Sequence, residues 1–264
     1  MADDRKIRGT REWAVAGVNC CIGCPHGCRY CYARYNNVVK NAVVDEDNWA
    51  KPHIRSVDVV KDYPLYPGTV MFPTEHDIHP EILDVCLVVL RKLIDAGNRV
   101  LVVSKPHLSC IEKICRTFAQ SKEQILFRFT ITAKDNTILK FWEPGAPSFE
   151  ERLSSLCYAC NHGYQTSVSI EPMLECENII AIIDELAPCV THSIWLGRMN
   201  KIDLRVNSDS AEIRKEIQRI RRNQSDEKIN KLYGKLSRNP LIRWKESIKE
   251  VVGLELARQP GLDL

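Results

Sequence analysis

The stretch Asn19-Cys20-Cys21-Ile22-Gly23-Cys24-Pro25-His26-Gly27-Cys28-Arg29-Tyr30-Cys31-Tyr32-Ala33-Arg34 places five of the chain's twelve cysteines within twelve residues. Neighbours this close on a strand or helix point in different directions, whereas a loop can fold them onto one centre, so a metal explains them and core packing does not. Structural zinc usually takes two well-separated pairs of ligands, and no second Cys-x2-Cys knuckle follows at the usual distance. The other such pair, Cys157 and Cys160, falls in an expected helix far downstream and reads as ordinary thiols. Cys24-x3-Cys28-x2-Cys31 offers three thiolates on one short loop, and a 4Fe-4S cubane held by three cysteines keeps one iron without a protein ligand. Cys20 and Cys21 compete as ligands, since Cys21-x2-Cys24 is also a chelating spacing.

Composition bounds what surrounds this loop. With 264 residues, 44% hydrophobic and 27% charged, the chain is globular, which excludes disorder, collagen and fibrous repeats. A chain of this size buries roughly 70 to 75% of its unfolded surface, enough for a core without covalent staples. Met1 to Arg11 is charged and no apolar segment of the secretory type follows, so a reducing, cytoplasmic setting is expected. Apolar stretches such as Ile82 to Leu90 are broken by Asp84 and fall short of the roughly 18 to 20 residues a membrane span needs, so no membrane association is expected.

The first 200 residues alternate short β-type runs with amphipathic stretches, the pattern of repeated βα units on a parallel sheet. Six strands are expected: Ala14 to Asn19, Thr69 to Pro73, Arg99 to Ser104, Ile125 to Thr132, Gln165 to Ile170 and His192 to Gly197. Helices are expected at Pro80 to Ala96, Ser109 to Ala119, Ser148 to Asn161 and Glu177 to Leu186, with Gly97 and Gly163 as stop signals. Phe127, Phe129 and Ile131 share one strand face while Arg128, Thr130 and Thr132 share the other; Thr166, Val168 and Ile170 likewise oppose Ser167, Ser169 and Glu171. Helices on both faces of a doubly wound sheet favour apolar residues on both, whereas a ligand-filled barrel tolerates polar residues inside. The expected fold is therefore α/β, a partial (βα)6 TIM-like barrel over residues 1–200, with functional groups at the C-terminal strand ends. Residues 201–264 read as a basic helical C-terminal extension, helical over Ser210 to Arg222 and Glu227 to Val252 with a break near Pro240.

The triplet Cys24-x3-Cys28-x2-Cys31, with Tyr30 before its third cysteine, resembles the signature of the radical S-adenosylmethionine superfamily, and the six βα units agree with its partial barrel. The longer string Gly23 to Arg34 is similar to the branch containing spore photoproduct lyase and its photolyase-like relatives. The resemblance covers about residues 14 to 200 and favours Cys24, Cys28 and Cys31 over the Cys20–Cys21 alternative. It implies a 4Fe-4S cluster whose open iron takes the amino and carboxylate groups of S-adenosylmethionine. One-electron reduction, by a reductase or flavodoxin-type donor, would then yield methionine and a 5′-deoxyadenosyl radical that abstracts hydrogen from a substrate. Lyase or oxidoreductase-type chemistry follows from the same resemblance.

Cofactor contacts are expected at the strand ends. Where the superfamily carries a Gly-Gly-Glu-type segment, this chain reads Phe72-Pro73-Thr74-Glu75-His76-Asp77, so Thr74, Glu75 or Asp77 would meet the methionine amino group. Lys105 would face the methionine carboxylate. Thr130, Thr132, Ser167, Ser169 and Glu171 would reach the ribose, Tyr30 would pack by the adenine, and Arg198 and Asn200 would line the mouth. His76 and His79 are candidate metal ligands or bases, and Cys176 is a candidate hydrogen donor because spore photoproduct lyase uses a cysteine in that role. Ser148 reads as an N-cap with Glu150 and Glu151 in the first turn, and Arg152 as a partner of Glu143 or of another carboxylate.

From Lys201 to Glu250 the chain carries 14 Lys and Arg against 8 Asp and Glu, so positive charge concentrates there. Arg219, Arg221, Arg222, Lys228, Lys231, Lys235, Arg238, Arg243 and Lys245, with Tyr233 and Trp244, form a candidate surface for a nucleic-acid substrate. Two other readings remain: a noncatalytic zinc- or iron-sulfur-binding module, and a radical enzyme acting on a peptide or small molecule.

Overall fold

Alternation along the strands decides the architecture. On the strand Ile125–Thr130, Phe127 and Phe129 join the main apolar core under the helices, while Leu126, Arg128 and Thr130 face the opposite side. The computed structural model describes residues 6–264. Its strands are β1 (Ala16–Gly17), β2 (Cys21–Ile22), β3 (His53–Ile54), β4 (Val70–Phe72), β5 (Val100–Ser104), β6 (Ile125–Thr130), β7 (Gln165–Ile170), β8 (Ser193–Leu196) and β9 (Ile242–Trp244). The longer helices are α1 (Leu83–Asp95), α2 (Leu108–Thr117), α3 (Asn136–Trp142), α4 (Phe149–Asn161), α5 (Ile179–Leu186), α6 (Ala211–Asn223), α7 (Asp226–Leu236) and α8 (Glu246–Val252).

Seven strands form one parallel sheet in the order β1-β4-β5-β6-β7-β8-β9, and β2 pairs antiparallel with β3. Sequential parallel neighbours joined by helices are what right-handed βα crossovers produce. The sheet is not closed into a barrel, which agrees with the partial barrel expected. All six expected strands are present, and Ser148 caps α4 as expected, its hydroxyl accepting from the Glu151 amide at 3.3 Å.

The seventh strand corrects the expected strand count. β9 lies inside the segment read as purely helical and pairs with β8 through Ile194–Ile242 and Leu196–Trp244. Trp244 and Lys245 are consequently buried and do not belong to an exposed nucleic-acid surface. Lys245 Nζ reaches across the open side of the sheet, donating to the Gly9 carbonyl at 3.0 Å and ion-pairing with Glu12. The chain ends reinforce this seam, with Gly261 N–H on the Arg11 carbonyl at 2.9 Å and Asp263 N–H on the Glu12 carbonyl at 3.0 Å. Other tail cations are paired with acids: Arg219 with Glu216, Arg221 with Asp203 and Lys231 with Glu227.

Cys157 is a second correction: it forms a disulfide with Cys189, tying α4 to the turn after α5, while Cys160 is a free thiol. Disulfides are rare in reducing compartments, so this bond stands in tension with a cytoplasmic setting. Among the described residues no helix is long and apolar enough to cross a membrane.

A chain truncated after Asn200 should not fold, because it strips β8 of one of its two partner strands and leaves Glu12 buried without Lys245. A cooperative thermal transition in circular dichroism of that fragment would contradict this role for β9.

Candidate active site

The cysteine loop is shaped by close backbone contacts. Gly23 has φ +100°, and a Cβ there would meet the Trp49 and Lys51 carbonyls at 2.8 and 2.7 Å, so only glycine fits. Cys24 N–H donates to the same Trp49 carbonyl at 2.9 Å. Further along, Gly145 N–H donates to the His26 carbonyl at 2.9 Å, and a side chain at Gly145 would strike Pro25. Cys31 caps the short helix Tyr32–Arg34, its sulfur accepting from the Arg34 amide at 3.4 Å.

The loop closes one end of a cavity of about 450 Å3. Cys24, Cys28 and Cys31 all line it, together with the expected residues Tyr30, Thr74, Glu75, Lys105, Thr130, Ser169, Glu171 and Arg198. Burial pushes all three thiols up, Cys24 to about 12, a shift that a bound cation would oppose. Among the described residues, neither trio of donors lying within 4.8 Å of one another contains two cysteines of this triplet.

Asp77 holds the loop to the sheet. Its Oδ1 accepts from Ser104 Oγ at 3.0 Å and Lys105 N–H at 2.7 Å; its Oδ2 lies 2.9 Å from His26 Nδ1 and 3.5 Å from Lys105 Nζ. Burial opposes the charge, but Lys105 and His26 outweigh it and hold the Asp77 carboxyl well below its usual range. Lys105, whose ammonium lies 5.9 Å from the Tyr30 ring centre, is thus already paired.

The segment after β4 is fixed by Asn19, whose Oδ1 accepts from the Thr74 and Glu75 amides at 2.7 and 2.8 Å. Thr74 is committed further, its hydroxyl accepting from Asn19 Nδ2 at 2.8 Å and its carbonyl from the Tyr32 hydroxyl. Glu75 lines the cavity, and no hydrogen bond engages its carboxylate among the described residues.

Three expected contacts lie elsewhere. Thr132 donates to Glu143 at 2.7 Å behind Tyr30, whose hydroxyl also bonds Glu143. Ser167 sits beneath the cavity, donating to the Ser193 carbonyl at 2.7 Å and accepting from Arg128 Nε at 3.0 Å. Cys176 donates to the Met173 carbonyl at 3.2 Å and borders a second cleft beside α7, not the cavity of the triplet. Arg205, absent from the sequence reading, lines the main cavity, and its buried Nε has no hydrogen-bond partner. It lies in an ordinary charged helix, Ile202–Arg205, and nothing in that local pattern distinguishes it.

Glu143 and Arg152 form a fully buried pair at 2.5 Å, which settles the partner of Arg152. Burial opposes the Glu143 charge, yet Arg152 and Lys105 outweigh it and hold the carboxyl below its ordinary value. On the opposite wall burial raises Glu171 to about 7, against the pull of Lys245 at 3.8 Å.

These geometries permit the comparison with known proteins. No family model matches the sequence. An uncharacterized protein, ORF301 of Acidianus two-tailed virus, is 27% identical over 180 residues, covering 61% of this chain and 56% of that protein. Streptococcus suis SuiB bound to S-adenosylmethionine superposes with a TM-score of 0.55 at 11% identity, over 94% of this chain and 54% of SuiB. Spore photoproduct lyase complexed with dinucleoside spore photoproduct gives 0.52 at 14% identity, over 91% of this chain and 78% of the lyase. The chain shares the fold of SuiB and of spore photoproduct lyase. It spans about half the length of SuiB and of the viral protein. In this fold, residues at the C-terminal strand ends and in the cysteine loop line one shared cavity.

Glu143→Gln should destabilise the chain by about 3 to 5 kcal/mol, because it strands Arg152 as an unpaired buried charge. Urea unfolding checks this, and a loss below about 1 kcal/mol would contradict it. Asp77 and Glu143 both have folded-state values below their unfolded ones, so the unfolded chain takes up their protons first on acidification. Their stabilisation is complete above about pH 4.5 and is lost as the pH falls through the folded values. The urea midpoint should drop from pH 6 to pH 3.5, and by less in Asp77→Asn.

Proposed function

We propose that the chain is a radical S-adenosylmethionine enzyme in which Cys24, Cys28 and Cys31 bind a 4Fe-4S cluster. The observation that carries this reading is that the thiols of Cys24, Cys28 and Cys31 line one cavity together without forming a set within 4.8 Å of one another. A single zinc needs its donors within about 4 Å of one another, whereas a cubane spreads its cysteines over its corners, so the donor set fits a cluster better than a zinc clip. When bound, the cluster and S-adenosylmethionine supply reductive carbon–sulfur cleavage and hydrogen abstraction. A reductase or flavodoxin-type protein would deliver the electron.

The chain's own residues bind and orient. Glu75, the carboxylate left without a partner at the missing glycine segment, receives the methionine ammonium. Arg205, with its unpartnered Nε, meets a carboxylate or phosphate oxygen, since Lys105 is held by Asp77. Thr130 and Ser169 offer hydroxyls to the ribose, and Tyr30 offers its ring to the adenine.

For substrate, we favour an anionic nucleic-acid strand. Arg11, Arg198 and Arg205 line the cavity, and spore photoproduct lyase, of the same fold, is solved with a dinucleoside lesion. A peptide is the second reading, since SuiB is solved with its precursor peptide SuiA.

Anaerobic reconstitution should give a brown protein with about four irons per chain that forms 5′-deoxyadenosine under dithionite. Cys28→Ala should lose the iron, whereas Glu75→Ala should keep it and bind S-adenosylmethionine at least about tenfold more weakly, the worth of one charge-assisted hydrogen bond. A reconstituted chain that holds no iron and forms no 5′-deoxyadenosine would refute the proposal. Single-stranded DNA binding should weaken steeply with added salt and weaken further in Arg205→Ala; absence of salt-dependent binding would favour the peptide.

A further inference from the structure

A second group of metal-ligating side chains lies behind the cavity wall, where His76 lines the cavity and Cys20 and Cys86 do not, and it has no part in the proposed chemistry. Cys20 stands just before β2, His76 follows β4, and Cys86 projects from α1; all three are buried. Cys20 Sγ lies 3.6 Å from His76 Nε2 and 3.6 Å from Cys86 Sγ, and all three donor atoms fall within 4.8 Å of one another. Zinc bonds of about 2.3 Å to sulfur and 2.0 to 2.1 Å to nitrogen place tetrahedral ligand atoms about 3.5 to 3.8 Å apart, so the two shortest separations already match.

The histidine is oriented for ligation. His76 Nδ1 lies 3.1 Å from the Asp77 carbonyl, which only accepts, so Nδ1 carries the proton and the Nε2 lone pair turns toward the two sulfurs. A ligating histidine usually has its second ring nitrogen anchored on a carbonyl in this way. The Cys20 amide also reaches Nε2 at 3.2 Å, so ligation exchanges one backbone hydrogen bond for a metal bond. The neighbouring Cys21 thiol turns instead to the Gly23 carbonyl, at 3.9 Å.

We propose that Cys20, His76 and Cys86 bind a zinc ion. The donor set is thiolate and imidazole, which suits zinc and excludes hard cations such as magnesium and calcium. The ion would fasten the segment Thr74 to Asp77 and the start of the cysteine loop to α1, holding Glu75 and Asp77 in place. The site stands whether or not the cysteine triplet carries a cluster.

Elemental analysis of the full chain tests it. In Cys24→Ala/Cys28→Ala/Cys31→Ala, which removes the other thiol site, about one zinc per chain should remain, and cobalt(II) should replace it with intense tetrahedral d–d and thiolate charge-transfer bands. In the reconstituted chain with the triplet intact, Cys86→Ser and His76→Ala should each lower zinc at least about tenfold and leave iron unchanged. Zinc retained in both of these variants, zinc absent from the reconstituted parent chain, or a Cys20–Cys86 disulfide found by peptide mapping would each overturn the proposal.

Discussion

One half-buried carboxylate joins the two halves of the candidate site. Asp77, at the end of the β4 segment, takes hydrogen bonds from the β5 end through Ser104 and Lys105 and lies against His26 of the cysteine loop. A charge in this position is tolerated because its neighbours supply a cation and several donors, and removing any of them would leave it costly. The position of the cysteine loop relative to the sheet therefore follows from electrostatic matching at one atom pair more than from loop length. The same logic recurs on the far wall of the loop, where Glu143 collects Tyr30, Thr132 and Arg152.

The open barrel creates a second demand. A sheet that does not close exposes an edge and an interior, and both are filled by residues distant in sequence. Trp13 and Trp195 stack edge to face at 5.5 Å and enclose the guanidinium of Arg128, 4.5 and 5.2 Å from the two rings. Arg128 has no partner on either Nη atom, and burial lowers it to about 9, so cation–π attraction and Ser167 are its compensation. Lys245 closes the seam to Glu12.

Much of this was readable in the chain itself. Period-2 alternation on β6 and β7 separated the helix-packed face from the cavity face, because one face is buried in hydrocarbon and the other among polar groups. Tight cysteine spacing marked the loop for the same local reason. What escaped depends on pairings far apart in sequence. β9 is three residues long with Arg243 at its centre, too short for a periodic signal, and its strand identity comes from pairing with β8. Lys245 looks like any other lysine of a basic stretch until Glu12 and Glu171 surround it. Cys157 finds its partner 32 residues away, not at Cys160. Thr132 and Ser167 lie on the right face but one step outside the cavity, since alternation gives direction and not depth.

The proposed function requires one iron that Cys24, Cys28 and Cys31 would leave open to the amino and carboxylate groups of S-adenosylmethionine. Electron paramagnetic resonance of the reduced, reconstituted chain tests this most directly. Adding S-adenosylmethionine should change the g-values of the cluster signal, and label on the methionine amino nitrogen should couple to it. A signal identical with and without the sulfonium compound, and without nitrogen coupling, would contradict the assignment of this cavity.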